Sequence, residues 1–296
     1  PVWFNEHKGA VLATTIDKYL YITCRPLPPF FDYKSRISYT LIEKIKDVEE
    51  IQHPSVRECL KFMKITRGLE IHYDGDLPAR TGLGSSSSFT VGFLRCLYAL
   101  KGIMVSQKQV ADDAVHVEQN CIKENVGCQD QILAAHGGFN LIEFEPRKDY
   151  RIQAVTLNPE RLQDFHSHLM LIFTGFSRMA SEIAGELIQK APKKTSELET
   201  MYQMVNEALK ILNGNGDLSE FGKLLNENWK LKRALTSKIT TPVIDQIYER
   251  AMKCGALGGK LLGAGGGGFM LMFAPPERQE KIRAEQNFLD CVRESL

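Results

Sequence analysis

Residues 78–88 read Pro-Ala-Arg-Thr-Gly-Leu-Gly-Ser-Ser-Ser-Ser, and an apolar pattern of Phe89, Phe93, Leu94, Leu97 and Leu100 follows at helical spacing. A run of hydroxyls therefore stands at the N-terminus of a helix, entered through Gly82 and Gly84, which accept torsions that a side chain would block. The first-turn N–H groups of a helix lack intrahelical partners, and the helix dipole adds partial positive charge there. Such a place binds phosphate. A glycine loop with an ordinary serine cap is the plainer alternative. A cap needs one hydroxyl, however, and Ser85, Ser86, Ser87 and Ser88 supply four. They read as a hydroxyl cluster for polyphosphate oxygens and a metal.

A second cluster, Gly263-Ala264-Gly265-Gly266-Gly267-Gly268, interrupts an otherwise apolar strand pattern. It is either a bulge or tight hairpin, or a place where backbone approaches a bulky ligand. A hairpin rarely needs more than one or two glycines. Two carboxylates complete the set. Glu118 lies on a helix whose apolar side carries Val115, Cys121 and Ile122; taken alone, it reads as a solvated surface group. Asp130, just past Gly127, opens a further helix, where capping is its ordinary role.

Several function classes are excluded. No G-x-x-x-x-G-K-[ST] loop occurs, and Gly82-Leu83-Gly84 does not extend to a dinucleotide fingerprint, which needs glycine at Ser87. The His-Arg-Asp and Asp-Phe-Gly elements of protein kinases are absent. With 37 basic against 36 acidic residues the chain has no electrostatic footprint for nucleic acid. No apolar run approaches the roughly 20 residues that span a bilayer, and no secretory signal opens the sequence. Seven cysteines form no C-x-x-C pair, which argues for buried thiols in a reducing, cytoplasmic compartment and against disulfides or structural zinc. His166 and His168 would share one face of a strand, without a third metal ligand nearby.

The 296 residues suffice for two domains. Strands are expected over 10–24, 36–40 and 68–73, with a short helix from Pro54. Helices follow over 85–101, from Ser106 to about 124, and briefly after Asp130; strands then cover 139–145 and 150–157. From about 166 come a strand over 168–174, helices near 178–190, 194–213, 217–235 and 242–254, a glycine-rich strand pair around 259–273, and a last helix from 276. Strands first, then a helix-rich half, give an α+β protein divided near residue 165, as 1–165 and 166–296.

The two glycine motifs, in this order, resemble the paired signatures of the GHMP small-molecule kinases. Glu118 and Gly127-x-x-Asp130-Gln131 resemble the family segment that supplies a magnesium ligand and the catalytic aspartate. Within the family the chain is most similar to D-glycero-D-manno-heptose 7-phosphate kinases, through residues 28–33, 50–54, 173–181 and 258–261. The family's first motif, a strand with an arginine and a glycine-rich turn, falls before Pro1 in this register, so no residue of it is assigned.

The resemblance implies an N-terminal two-layer α/β domain and a C-terminal ferredoxin-like domain, with ATP and sugar meeting in a cleft between them. Gly82, Leu83, Gly84, Ser85, Ser86 and Ser87, with Gly265, Gly266 and Gly267, would hold ATP. Ser86 and Glu118 would hold Mg²⁺, and Asp130 would accept the proton of the attacking hydroxyl. A sugar that already carries phosphate needs basic contacts, for which Arg178 is the first candidate, followed by Lys34 and Arg36. Other acceptors within the family are fucose, galactose or an octose phosphate; the alternative from another class is a sugar- and ATP-binding regulator without turnover. Sugar phosphate and ATP are thus the expected partners, without nucleic acid or membrane, and the oligomeric state stays open.

Overall fold

The computed structural model describes residues 6–79, 81–146, 149–176 and 180–293. In chain order the elements are β1 (Gly9–Thr14), β2 (Leu20–Pro26), β3 (Ser35–Ser38), β4 (Ile42–Ile45), α1 (Pro54–Phe62), β5 (Leu69–Gly75), α2 (Ser85–Leu100), α3 (Gln107–His116) and α4 (Gln129–His136). Then follow β6 (Phe139–Glu145), β7 (Asp149–Ala154), α5 (Pro159–Ser167), β8 (Leu169–Phe173), α6 (Ala180–Lys190), α7 (Thr195–Asn213), α8 (Ser219–Leu235), α9 (Pro242–Lys253), β9 (Gly258–Leu261), β10 (Phe269–Phe273) and α10 (Pro276–Arg293). The protein is α+β, as expected.

Grouped by contact, the described residues form two units, one of 14–79 and 84–138, the other of 6–13, 81–83 and 139–293. This division differs from a single cut near 165, because β1, β6 and β7 fall in the same unit as the C-terminal half.

The first unit holds a four-stranded sheet in the order β2-β5-β3-β4, with β3 parallel to β5 and the other pairs antiparallel. Ile37 stands opposite Ile71, and both are buried with Ile45 and Leu69. Helix α2 packs on β2 and is itself flanked by α1, α3 and α4. Its apolar stripe, Phe89, Phe93, Leu94 and Leu97, is buried as the spacing requires. Pro54 starts α1, whose first turn is capped by the His53 ring accepting from the Val56 amide. The buried Glu43 carboxylate accepts from the amides of Gln52 (2.6 Å) and His53 (3.2 Å), which sets the entry to that helix.

The second unit contains two three-stranded sheets, β1-β6-β7 and β8-β10-β9. Strand β10 lies antiparallel to both neighbours, with Met270 and Met272 in a core with Met170, Ile172, Trp229, Ile244 and Ile247. A smaller cluster of Phe165, Leu212, Leu218 and Phe273 is packed by Leu12 of β1 and Phe139 of β6, so the two sheets share apolar contacts.

Two expectations need correction, and two elements are new. The strand expected over 10–24 is two, β1 pairing with β6 and β2 with β5. Between them Thr15 donates to the Gly138 carbonyl, and Tyr19 donates its amide to Asp76 Oδ2, so the chain turns instead of extending. His166 and His168 do not share a strand face: His166 lies in α5 and His168 at its C-terminal end. Helix α5 and strand β4 are additions, although Asn158-Pro159 is a cap followed by a first-turn proline, the Asn158 side chain accepting from the Arg161 amide at 2.7 Å. The six described cysteines are free; Cys59 and Cys254 are buried, and burial pushes the Cys24 thiol up to about 12.

Candidate active site

The serine run occupies the first turn of α2, and Gly84 is the residue before it, in the left-handed region at φ 72°. Ser88 makes the first bond of the helix ladder, donating to the Gly84 carbonyl at 2.8 Å. The amides of Ser86 and Ser87 precede that bond, at the positive end of the helix dipole. A Cβ on Gly84 would stand 3.3 Å from Asp130 Cβ and 3.4 Å from its Oδ2, on top of an unfavourable φ. Glycine therefore lets the Asp130 side chain lie directly against the start of α2. Asp130 does not cap α4: Cys128 holds the cap position and Asp130 sits in the first turn. Burial raises the Asp130 pKa above its ordinary 3.8, against a hydrogen bond from Gln129 that lowers it. A carboxylate with raised pKa is a stronger base than a solvated one.

Glu118 departs from the surface role that a lone carboxylate suggests. Helix α3 continues into a π-helical turn over Val117–Cys121, which turns Glu118 inward until it is fully buried. Ser87 Oγ donates to its Oε2 at 3.1 Å, and Gln131 Nε2 donates to the same oxygen at 2.7 Å. Oε1 has no hydrogen-bond partner among the described residues. Burial raises the Glu118 pKa, partly offset by the hydrogen bonds from Gln131 and Ser87. The hydroxyl on Glu118 is thus that of Ser87; Ser86, expected to share its metal, has an exposed side chain.

The C-terminal glycine run lies in the other unit and packs on residues 81–83. A Cβ on Gly82 would stand 3.0 Å from the Leu262 carbonyl oxygen and 3.5 Å from the Gly263 nitrogen. Phe269 donates its amide to the Thr81 carbonyl at 3.1 Å. Buried Thr174 exchanges backbone and side-chain bonds with Gly268: its amide and hydroxyl both donate to the Gly268 carbonyl (2.9 and 2.8 Å). The Gly266 amide donates to the Ile239 carbonyl at 2.8 Å, tying the run to the loop before α9. The run is therefore no simple hairpin, since its backbone bonds three separate segments. Sequence reasoning gives Thr174 and Gln131 no role of their own, although both stand in segments that carry the family resemblance, 173–181 and 127–131.

Glu186 steadies the same loop before α9. Its carboxylate takes hydrogen bonds from Lys190, Thr236 and Lys238, which lower its pKa from 4.5 to about 2. A depressed carboxylate pKa adds stability that is complete above the unfolded-state value and lost as pH falls through about 2. Glu186→Gln should accordingly melt below the wild type at pH 7, with the gap closing towards pH 2, as followed by circular dichroism.

Comparison with known proteins identifies the family. The GHMP kinases N terminal domain matches residues 52–138, and the GHMP kinases C terminal domain matches 204–287. The chain is a GHMP kinase. The D-glycero-alpha-D-manno-heptose 7-phosphate kinase of Campylobacter jejuni is 26% identical over 97% of this chain and 89% of its own length. The bifunctional fucokinase/GDP-fucose pyrophosphorylase of Arabidopsis thaliana is 26% identical over 72% of this chain, which spans only 21% of that longer protein. The crystal structure of a D-glycero-D-manno-heptose 1-phosphate kinase from Bacteriodes thetaiotaomicron has the same fold, with a TM-score of 0.75 at 20% identity, covering 96% of this chain and 86% of that one. The protein is therefore a phosphotransferase of the GHMP kinases, with a heptose 7-phosphate kinase among its relatives.

The basic residues expected at the substrate of this GHMP kinase have mixed standing. Arg178 lies outside the described residues. Lys34 is exposed, its amide donating to the Ile45 carbonyl at 2.8 Å. Arg36 is committed within the sheet: it pairs with Glu70 on β5, which also binds Arg25 of β2. These contacts involve Ile45, Glu70 and Arg25, not Asp130. Among the described residues, no three of His, Cys, Asp and Glu could hold a metal together, and no helix is long and apolar enough to cross a membrane.

Proposed function

We propose that this kinase transfers the γ-phosphoryl group of ATP to the anomeric hydroxyl of a sugar phosphate, with D-glycero-D-manno-heptose 7-phosphate as acceptor and the 1,7-bisphosphate as product. The observation that carries the reading is the Asp130 carboxylate against Gly84, at the start of the helix whose first-turn amides suit phosphate. The acceptor oxygen bonds to the γ-phosphorus, the bond from that phosphorus to the β–γ bridging oxygen breaks, and ADP leaves. Asp130 holds the acceptor hydroxyl and takes its proton as the new bond forms. Phosphoryl transfer asks chiefly for positioning and charge neutralisation, so few further groups are needed. As the family resemblance implies, Gly82, Leu83, Gly84, Ser85, Ser86 and Ser87, together with Gly265, Gly266 and Gly267, would hold ATP.

Magnesium fits the residues present. Glu118 offers a buried carboxylate oxygen without a partner among the described residues, and Ser86 an exposed hydroxyl nearby in sequence to Ser87, which binds Glu118. Two protein oxygens suffice for a cation that keeps several waters and takes the rest of its shell from phosphate. When bound, the ion would neutralise charge on the β- and γ-phosphate oxygens.

The test is ADP release with a panel of heptose 7-phosphate, an octose phosphate, free fucose, free galactose and mevalonate. Turnover confined to the heptose phosphate supports the reading. Turnover on a free sugar or mevalonate alone overturns the acceptor, and ATP binding without any turnover makes the protein a non-catalytic binder. Arg178 sharpens the acceptor assignment. If it pairs with the 7-phosphate, Arg178→Ala raises KM for the heptose phosphate by about 10- to 150-fold, the worth of a charge-assisted contact. A free sugar, if used at all, keeps its KM. A fall in kcat for every acceptor alike would instead put Arg178 at the γ-phosphate.

A further inference from the structure

Lys232, in the last turn of α8, holds the chain where β9 leads into the glycine run. Strand β9 lies at the edge of its sheet, with α8 packed along it. Successive carbonyls of a strand point to opposite sides. On the inner side the Leu262 amide donates to the Phe269 carbonyl of β10 at 2.9 Å. The carbonyls of Leu261 and, just past the end of β9, Gly263 face the free edge, where no strand pairs among the described residues. Lys232 Nζ donates to both, at 2.8 Å each. Between these two anchored carbonyls lies Leu262, whose own carbonyl oxygen is the first atom that a Cβ on Gly82 would meet, at 3.0 Å.

Lys232 is half-buried, so its ammonium is partly withdrawn from water, which opposes the charged form. Burial, and then the charge of Lys260, hold the Lys232 pKa well below the usual lysine range. Lys260 itself donates to Asn228 Oδ1 at 3.2 Å, one turn before Lys232 on α8. Among the described residues no carboxylate makes an ion pair with either ammonium. A methionine or leucine could fill the space without that penalty but could not bond two edge carbonyls. The ammonium is kept for the shape it imposes on the strand-to-loop junction.

We propose that Lys232 is a positioning residue for the nucleotide: by anchoring Leu261 and Gly263 it fixes the glycine run in the form that seats on Gly82, and so sets ATP affinity without touching the reacting atoms. This rests on the ATP reading above. The test compares wild type with Lys232→Met, Lys232→Arg and Lys260→Met by calorimetric titration with Mg-ATP, steady-state kinetics and thermal melting. Lys232→Met should raise the ATP Kd and KM by about 10-fold or more, as expected for losing hydrogen bonds from a charged donor, with kcat nearly unchanged. Lys232→Arg, whose fork can reach both carbonyls, should recover most of the affinity, and Lys260→Met should bind ATP as the wild type does. Should Lys232→Met fail to fold, Lys232→Gln keeps one donor and should show a smaller rise in Kd. Equal ATP affinity in the wild type and the Met or Gln variant overturns the proposal, as does equal damage from Lys260→Met. A wild type that binds no ATP at all removes the nucleotide reading itself, and this proposal with it.

Discussion

Asp130→Asn should lower kcat by about 10² or more while leaving ATP affinity nearly intact. The amide keeps the shape of the side chain against Gly84 but cannot accept the proton. The same substitution should leave the melting temperature at pH 7 unchanged or higher. A carboxylate whose folded pKa is raised contributes fully below the unfolded value and loses that contribution as pH rises through the folded value, so ionised Asp130 is a burden on the native state at neutral pH. The wild-type pH–rate profile should show its acid limb above the ordinary aspartate value of 3.8, and the variant should lack it. Unchanged kcat with a raised acceptor KM would reduce Asp130 to a binding group.

Glu118→Gln should separate stability from metal use in the same way, through a different group. The glutamine is close to isosteric, still accepts at one atom, and removes the cost of a buried charge, so the variant should melt no lower than the wild type at pH 7. The raised Glu118 pKa gives the sign: the native state loses stability as pH climbs through it, and the neutral amide escapes that loss. Activity should fall steeply and be partly restored at high magnesium, because a carboxylate ligand for a hard cation has become a neutral one. Titration of the metal dependence at saturating ATP is the measurement. A variant with wild-type magnesium dependence would leave Glu118 as the hydrogen-bond centre of Ser87 and Gln131, and nothing more. In both carboxylates burial raises the pKa and destabilises the charged form, the pattern expected where function opposes stability.

Much of this was legible beforehand because it is local. The Gly82–Ser88 segment, the capping of α3 by Ser106 and the helices of the C-terminal half depend on neighbours a few positions away, and all lie where the spacing places them. Even the overlooked helix α5 had its signal, in the Asn158 cap and Pro159. Strand 10–24 was misread for the opposite reason. Its residues favour extended backbone throughout, but its two halves find partners in different sheets, and pairing across the chain is not written in propensity.

By itself, then, the sequence determined the α+β class, the glycine–serine loop at the head of a helix and the second glycine run, since each rests on residue type and short spacing. Tertiary structure decided which side chains meet. A π-helical turn buries Glu118 and brings Ser87 to its carboxylate; strand register hands Arg36 to Glu70; the open edge of β9 recruits Lys232. These are matters of burial and of partners far apart in the chain, and desolvation and hydrogen bonding act only once folding has brought such groups together.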